Sequence, residues 1–219
     1  MNPPASAEAP AGKPDYASAR RALMRRDPVL AAIIKRKGAC GLGDVRDRFD
    51  HFAMLVRSIV FQQLSTKAAT TIHNRLIAYM PDSKPTPEAL AQVTEAQYRT
   101  AGISRQKAAY LADLSEKVLS GALPLDSLDA MSDDDVITAL TRVKGIGRWT
   151  AEMFLIFRLQ RPDVLPVGDL GIVNAIQRAY RLRKKPTPDR MRKLGEAWRP
   201  YRSIATWYLW RSLDNEPRK

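Results

Sequence analysis

Cysteine and histidine are nearly absent from this chain of 219 residues. Cys40 is the only cysteine, and His51 and His73 are the only histidines. One cysteine cannot form an intrachain disulfide, and these three residues are too few for a four-ligand Cys/His zinc site. A four-cysteine iron–sulfur cluster is excluded for the same reason. A hydrophobic fraction of 45% is nevertheless enough for a substantial core.

Long hydrophobic runs are also absent. No apolar stretch approaches the roughly 18 residues that a transmembrane helix requires. Residues 1–15 lack the apolar segment of a secretory signal, and their Pro/Ala-rich composition predicts a disordered tail. We therefore expect an intracellular protein with no membrane partner, cytoplasmic if the source is bacterial.

Acidic residues are few beside basic ones. The chain has 23 Asp and Glu against 36 Lys and Arg, which gives a formal net charge of +13. This balance favours a polyanionic partner, nucleic acid before an anionic membrane surface. The basic residues are spread along the chain without an amphipathic anchor, which disfavours the membrane. On charge alone, a soluble surface with surplus Lys and Arg remains an alternative.

Helical periodicity runs through almost the whole chain, and no segment alternates as a strand would. One segment shows the expected capping signals, with Asp27 before Pro28 at its start and Gly38 at its end. Another carries an apolar stripe with helical spacing, formed by Phe52, Leu55, Val56, Ile59 and Val60. The sequence predicts an all-α fold of about ten helices. These helices are expected in two lobes, one from residues near 45–160 and one from both chain ends.

Two glycines mark a tight turn in a predicted helical hairpin, residues 140–151. Gly145 and Gly147 tolerate positive φ, and Ile146 between them can fill the gap between the helices. The N–H groups of Gly145, Gly147 and Arg148 would then be unpaired at a helix N-terminus, which suits a phosphate oxygen. Lys144 and Arg148 add charge. An ordinary helix–helix turn remains the alternative, because G-x-G alone is a weak signal.

A carboxylate follows this turn. Asp169 lies 22 residues after Gly147, with apolar residues on both sides and Gly168 directly before it to free the backbone. Aspartate is a favoured N-cap, and a helix is predicted over residues 170–182. A helix cap can also have a catalytic role, because a carboxylate at a helix N-terminus is well positioned and can stabilise a developing positive charge. The sugar develops such a charge when an N-glycosidic bond breaks.

The segments VKGIGRWTA and LPVGD together resemble the helix–hairpin–helix plus Gly/Pro…Asp signature of base-excision DNA glycosylases, the HhH-GPD superfamily. SIVFQQLSTKAA and WRPYRSIATWYLW are similar to its alkylbase branch, the 3-methyladenine DNA glycosylase II type. The resemblance covers Arg48 to Leu213. It implies a compact two-lobed helical domain over residues 16–219. The longer enzymes of this branch carry an N-terminal β-rich domain, and we expect none here.

The resemblance implies roles for individual residues. Asp169 would be the catalytic carboxylate, and backbone carbonyls of Thr141, Val143 and Ile146 would bind a monovalent cation, the only cofactor expected. Gln63 or Leu64 would be the wedge that fills the space of a flipped base. A helix cap at Ser65 explains that turn equally well. The DNA-binding hairpin residues would be Val143, Lys144, Gly145, Ile146, Gly147 and Arg148.

Aromatic residues complete the expected site. By the resemblance, Trp149 and Trp210 match base-pocket positions, and Tyr208 is a pocket or core residue. Aromatic faces bind the cationic N-alkylated purines well, although a tryptophan in the core is the alternative. Trp149 occupies the position where bifunctional relatives have a Schiff-base lysine. The resemblance therefore implies a monofunctional hydrolase without a lyase step.

The expected function is a monomeric enzyme that removes 3-methyladenine and 7-methylguanine from double-stranded DNA. A non-catalytic helix–hairpin–helix DNA-binding module is one alternative, which would have no need of Asp169 in its apolar setting. A glycosylase for mismatched or oxidised bases is another. The missing cysteines and Trp149 disfavour it by analogy alone.

Overall fold

The computed structural model describes residues 14–43 and 50–214, so the predicted tail over residues 1–15 lies almost entirely outside the described part. Within these ranges there is no β-strand, and the predicted all-α class is confirmed. None of the described helices combines the length and the apolar character that crossing a membrane requires. The described residues form twelve α-helices, which are α1 Tyr16–Arg26, α2 Pro28–Lys37, α3 His51–Phe61, α4 Thr66–Ile77, α5 Pro87–Ala91, α6 Glu95–Ala101, α7 Arg105–Leu119, α8 Asp133–Thr141, α9 Arg148–Phe157, α10 Leu170–Ala179, α11 Pro188–Gly195 and α12 Arg202–Arg211.

Capping side chains begin most of these helices. An Asp, Ser or Thr accepts a hydrogen bond from a first-turn N–H at α1 to α8, α10 and α11. The predicted start of α2 at Asp27 and Pro28 is confirmed. The helix predicted over residues 170–182 is shorter, because α10 ends at Ala179 and Arg181 adopts a φ of +51°.

Two helices were missed in the count of about ten. Helix α6 has only seven residues, too few to show a helical period, although Thr94 and Gln97 form a full capping box at its start. Helix α1 buries only Ala19, Ala22 and Leu23. A stripe made mainly of alanine gives a weak hydrophobic signal, so capping by Asp15 is the better indicator of α1.

The described residues fall into two compact units. The middle unit comprises residues 50–154, with α3 to α8 and most of α9. The terminal unit comprises residues 14–43 and 155–214, with α1, α2, the end of α9 and α10 to α12. In the middle unit α7 packs against α3, α5 and α6, and in the terminal unit α12 packs against α1, α2 and α10.

Helix α12 is the centre of the terminal unit and is buried on nearly all sides. A helix enclosed in this way serves as a core element. Its Ser203 hydroxyl donates to the carbonyl of Arg161 at 2.6 Å and accepts from the N–H of Val164 at 2.9 Å. Arg202 Nε donates to Asp163 Oδ1 at 2.7 Å. These bonds attach the segment after α9, which leads to Asp169, to the core helix.

Asp27 joins distant parts of the terminal unit. Its Oδ1 caps α2 through the N–H groups of Val29 and Leu30, and its Oδ2 accepts from Trp198 Nε1 at 2.8 Å and from the Tyr180 hydroxyl. The carboxylate is buried and these donors satisfy it.

We expect Asp27→Ala to lower the free energy of unfolding by about 3 kcal/mol, because buried donors lose their acceptor together with the helix cap. Asp15→Ala is the matched control, since Asp15 caps α1 at an exposed position. Asp15→Ala should lose much less stability, because it removes only an exposed helix cap and leaves no buried donor unpaired. Urea unfolding of both variants measures the difference, and equal losses would contradict the bridging role of Asp27.

Candidate functional site

Asp169 is the N-cap of α10, as the sequence predicts. Its Oδ1 accepts the N–H of Ile172 at 2.7 Å, and its backbone carbonyl accepts the N–H of Val173 at 3.0 Å. Its own N–H donates to the carbonyl of Pro166 at 3.0 Å, which closes a tight turn over residues 166–169. Capping fixes the backbone position of the carboxylate and leaves a chemical role open.

Trp210 supplies a second donor to the same oxygen. Its indole Nε1 lies 2.9 Å from Asp169 Oδ1, and its ring stacks on Phe157 with centroids 5.7 Å apart and planes at 17°. Two N–H groups on one oxygen, one from the helix and one from a stacked indole, set the rotation of the carboxylate. Trp210 therefore orients Asp169, a contact that the sequence analysis missed. Its base-pocket role stays a prediction.

Gly171 permits this arrangement. A Cβ at Gly171 would lie 2.9 Å from Asp169 Oδ1 and 3.2 Å from Trp210 Cδ1, so any larger residue would displace the indole or the carboxylate. The sequence signal that could have identified this close contact is the D-x-G spacing of Asp169 and Gly171 at the start of a helix. Gly168, to which the sequence analysis gave backbone freedom, has no positive φ, and a Cβ there would contact nothing within 4 Å. The close approach that demands glycine is at Gly171.

The other two aromatic candidates lie in opposite environments. Tyr208 is fully buried in the core of the terminal unit, and its hydroxyl donates to the carbonyl of Gly38 at 2.8 Å. Burial raises the pKa of Tyr208 to about 12. It has no surface to offer a base, so the pocket prediction is corrected to a core role. Trp149, the second residue of α9, is 48% exposed, and the core alternative is wrong for it.

The hairpin of the middle unit has the geometry expected of an anion site. The N–H of Val143 donates to the carbonyl of Leu140 at 3.1 Å, and the N–H of Ile146 donates to the carbonyl of Val143 at 3.0 Å. The side chains of Val143 and Ile146 are buried, which the gap-filling role predicted for Ile146 requires. The N–H groups of Gly145, Gly147 and Arg148 find no acceptor within residues 14–43 and 50–214. Unpaired donors at a helix start bind anions.

The two hairpin glycines serve different purposes. Gly145 has a φ of +80°, and a Cβ there would lie 2.1 Å from Cδ2 of Tyr110. Both the backbone conformation and the close approach of the ring require glycine at this position. Gly147 has no positive φ and would place its Cβ in open space. That space adjoins the unpaired N–H groups.

Charge surrounds the hairpin. The side chains of Lys144 and Arg148 are 72% and 66% exposed, although Lys144 Nζ lies 3.4 Å from Asp113 Oδ1 and Arg148 Nε lies 3.0 Å from Glu152 Oε1. The backbone N–H of Lys144 donates to Asp113 Oδ2 at 2.8 Å. Burial raises the pKa of Asp113, but hydrogen bonds from Lys117 and Lys144 outweigh it and lower the pKa overall. Asp113 thus fixes the hairpin backbone while both cationic heads remain in solvent.

The predicted wedge lies in the turn of residues 62–65, between α3 and α4. Gln63 adopts a φ of +57°, and Leu64 is 40% exposed. Ser65 caps α4 by accepting the N–H of Ala68 at 3.4 Å. The cap accounts for the start of α4 but not for the strained backbone or the exposed leucine. Strain of this kind costs about 1 kcal/mol or more and is common at binding sites.

Comparison with known proteins decides the family. A model described as the HhH-GPD superfamily of base excision DNA repair proteins matches residues 56–200, which include both the hairpin and Asp169. The chain belongs to the HhH-GPD superfamily. The predicted family is confirmed.

The relatives of this HhH-GPD chain indicate its branch. It is 38% identical over 168 residues to DNA-3-methyladenine glycosylase 1 of Schizosaccharomyces pombe, covering 76% of this chain and 74% of the relative. It is 36% identical over 166 residues to a putative DNA-3-methyladenine glycosylase of Bacillus subtilis, covering 73% of this chain and 58% of the relative. The match thus spans less than two thirds of the Bacillus protein. The predicted alkylbase branch is confirmed.

A solved structure supports the same fold. The structure of the Schizosaccharomyces pombe 3-methyladenine DNA glycosylase in complex with abasic DNA superposes with a TM-score of 0.76 at 34% identity. The superposition covers 89% of this chain and 96% of that protein. The predicted HhH-GPD fold is therefore confirmed.

The two hairpin glycines should differ in their tolerance of a methyl group. Gly145→Ala should lower the free energy of unfolding by about 3 kcal/mol, because it adds backbone strain to a clash with Tyr110. Gly147→Ala should cost about 1 kcal/mol or less, as expected for an N-cap position with free space. Urea unfolding measures both. A large loss for Gly147→Ala would show that its open space is not available.

Proposed function

We propose that this chain is a DNA glycosylase that hydrolyses the N-glycosidic bond of 3-methyladenine and 7-methylguanine in duplex DNA. The observation that carries this proposal is the oriented carboxylate of Asp169, with Ile172 N–H and Trp210 Nε1 on one oxygen. The names of the relatives support the substrate class. A DNA substrate also fits the net charge of +13.

The proposed chemistry needs one carboxylate. An N-alkylated purine carries positive charge, so when the bond from C1′ to nitrogen breaks, the electron pair leaves with a base that becomes neutral. The sugar becomes oxocarbenium-like, and Asp169 stabilises that charge. Water then bonds to C1′ and loses a proton to the carboxylate or to solvent. The products are the free base and an abasic site.

The enzyme is proposed to be monofunctional. A lyase step needs an amine that forms an imine with the sugar, and Trp149 occupies the position where such a lysine would lie. Lys144 is close in sequence, but its ammonium lies 3.4 Å from Asp113 Oδ1 and pairs with it. The abasic DNA strand should therefore remain intact after base release.

The hairpin is proposed to bind the DNA backbone. The N–H groups of Gly145, Gly147 and Arg148 would bind phosphate oxygens and would not read base sequence. Backbone carbonyls of Thr141, Val143 and Ile146 would bind a monovalent cation that bridges to a phosphate. The Val143 carbonyl accepts one N–H and retains a second lone pair for such an ion. We propose that the enzyme acts as a monomer wherever chromosomal DNA is present.

Methylated duplex DNA tests the proposal. Wild type should release 3-methyladenine or 7-methylguanine, and Asp169→Asn should lower the single-turnover rate at least 100-fold while retaining DNA affinity. Gly147→Ala is the complementary variant. It should weaken binding to all sequences about equally and leave the rate at saturating DNA unchanged. Chromatography of released bases and fluorescence anisotropy measure the two quantities.

Three results would contradict parts of the proposal. Base release by Asp169→Asn at the wild-type rate would exclude the carboxylate mechanism. A covalent adduct trapped by borohydride would exclude the monofunctional assignment. Tight DNA binding by a wild-type protein that releases neither base would point to a binding module or to another damaged base.

Trp210→Phe separates orientation of Asp169 from base binding. The variant retains an aromatic ring to stack on Phe157 but loses the N–H donor to Asp169. We expect the single-turnover rate to fall about 10-fold with unchanged DNA affinity, which corresponds to about 1.4 kcal/mol in the transition state. Gly171→Ala should produce a similar loss by displacing the indole, and the double variant should be little worse than either. Full activity of Trp210→Phe would contradict the role of Trp210 in orienting Asp169 and would leave base binding as its only predicted role.

A further inference from the structure

Helix α7 connects two segments of the middle unit that are far apart in sequence. Lys107, Tyr110 and Asp113 are spaced three residues apart, which places them along one face of the helix. Lys107 contacts the 62–65 turn and the end of α3, and the other two contact the hairpin. Neither the periodicity of α7 nor the family motifs identified these three residues.

Lys107 binds the end of α3. Its ammonium donates to the carbonyls of Val60 at 2.8 Å and Gln62 at 2.7 Å. Carbonyls at a helix C-terminus lack helical partners and carry partial negative charge, so an ammonium is well placed there. Partial burial at this position lowers the pKa of Lys107. Lys107 thus fixes the residue at which the 62–65 turn begins.

Gln62 connects that turn to the hairpin. Its backbone carbonyl accepts from Lys107, and its side-chain Nε2 donates to the carbonyl of Gly145 at 2.8 Å. The carbonyl of the hairpin glycine that adopts positive φ is therefore tied to the first residue of the predicted wedge turn. Leu64 lies only two residues further along the chain.

Helix α7 fixes the hairpin at two adjacent residues. The Tyr110 ring packs so closely on Gly145 that a Cβ there would lie 2.1 Å from it, and the Tyr110 hydroxyl accepts from Gln106 at 2.7 Å. Asp113 accepts the backbone N–H of Lys144 at 2.8 Å. One helix face thus positions both the segment with unpaired N–H groups and the turn with the exposed leucine.

We propose that Lys107 and Gln62 are positioning residues that keep the 62–65 turn in fixed register with the hairpin, so that phosphate binding places Leu64 at the base stack. The inference rests on the proposed DNA binding and base excision. A wedge must displace a stacked base. If the 62–65 turn were free to move, phosphate binding at the hairpin would shift the turn instead of the base, and the binding energy would not contribute to the displacement. The strained φ of Gln63 fits a turn whose ends are fixed on both sides.

Lys107→Met tests the proposal, because it removes the ammonium and retains an apolar side chain of similar length. Arg105→Met is the matched control. It removes one positive charge from the same helix, at a side chain that is 95% exposed. The substrate is a methylated duplex with 2-aminopurine beside the lesion, whose fluorescence rises when the stack opens. Affinity for undamaged duplex is measured in parallel.

We expect Lys107→Met to bind undamaged duplex within twofold of Arg105→Met, but to lose most of the fluorescence rise and about 10-fold in single-turnover rate. Gln62→Leu touches only the link to Gly145 and should show the same pattern. A merely structural role predicts a different result, in which melting temperature, affinity and rate fall together. Equal behaviour of Lys107→Met and Arg105→Met would overturn the proposal.

A Leu64→Ala background makes the test specific to the wedge. If Lys107 acts through Leu64, adding Lys107→Met to Leu64→Ala should cause little further loss in rate, whereas independent effects would multiply. Multiplying losses would therefore overturn the positioning role. Failure of the proposed function would give a different result from failure of the positioning role, because wild type itself would then release no base and show no fluorescence rise.

Discussion

One oxygen atom, Oδ1 of Asp169, accepts N–H groups from the start of α10 and from the indole of Trp210 in α12. The terminal unit is built so that these two donors converge. Ser203 and Arg202 attach the segment after α9 to α12, and the 166–169 turn then delivers Asp169 to the helix start. The cap is thus both a folding signal and the device that orients the carboxylate. An N-cap needs one acceptor contact, so the second donor goes beyond what helix formation requires.

The glycines next to the functional groups fall into two classes. At Gly145 and Gly171 an aromatic ring lies where a Cβ would be, so these glycines allow Tyr110 and Trp210 to pack against the functional backbone. At Gly147 and Gly168 the space of the missing Cβ is open. The first class serves the fold, and the second leaves room for a ligand to approach the backbone. A sequence pattern such as G-x-G cannot separate these classes, because it shows only that a glycine is present and not what occupies the space of the missing Cβ.

Prediction from the sequence succeeded where the signal is local. Capping residues and helical periods lie within a few positions of the helices that they define, which is why the start of α2 and the cap at Asp169 were found. Prediction failed where two contacting residues are far apart in the sequence. Trp210 contacts Asp169 across 41 residues of sequence, and Gln62 contacts Gly145 across 83 residues. No spacing rule predicts contacts of this kind. Tyr208 shows the same limit, because the pattern of an aromatic helix does not reveal which ring lies in the core.

A single oriented carboxylate suits a leaving group that is already cationic. Enzymes that hydrolyse ordinary glycosides use two carboxyl groups, because a sugar oxygen must be protonated before it leaves. An N-alkylated purine needs no such proton, so stabilising the sugar cation is the main task that remains. A normal purine is a poorer leaving group without an acid to protonate it. Under the proposed mechanism, discrimination against undamaged DNA therefore begins in the strength of the glycosidic bond itself.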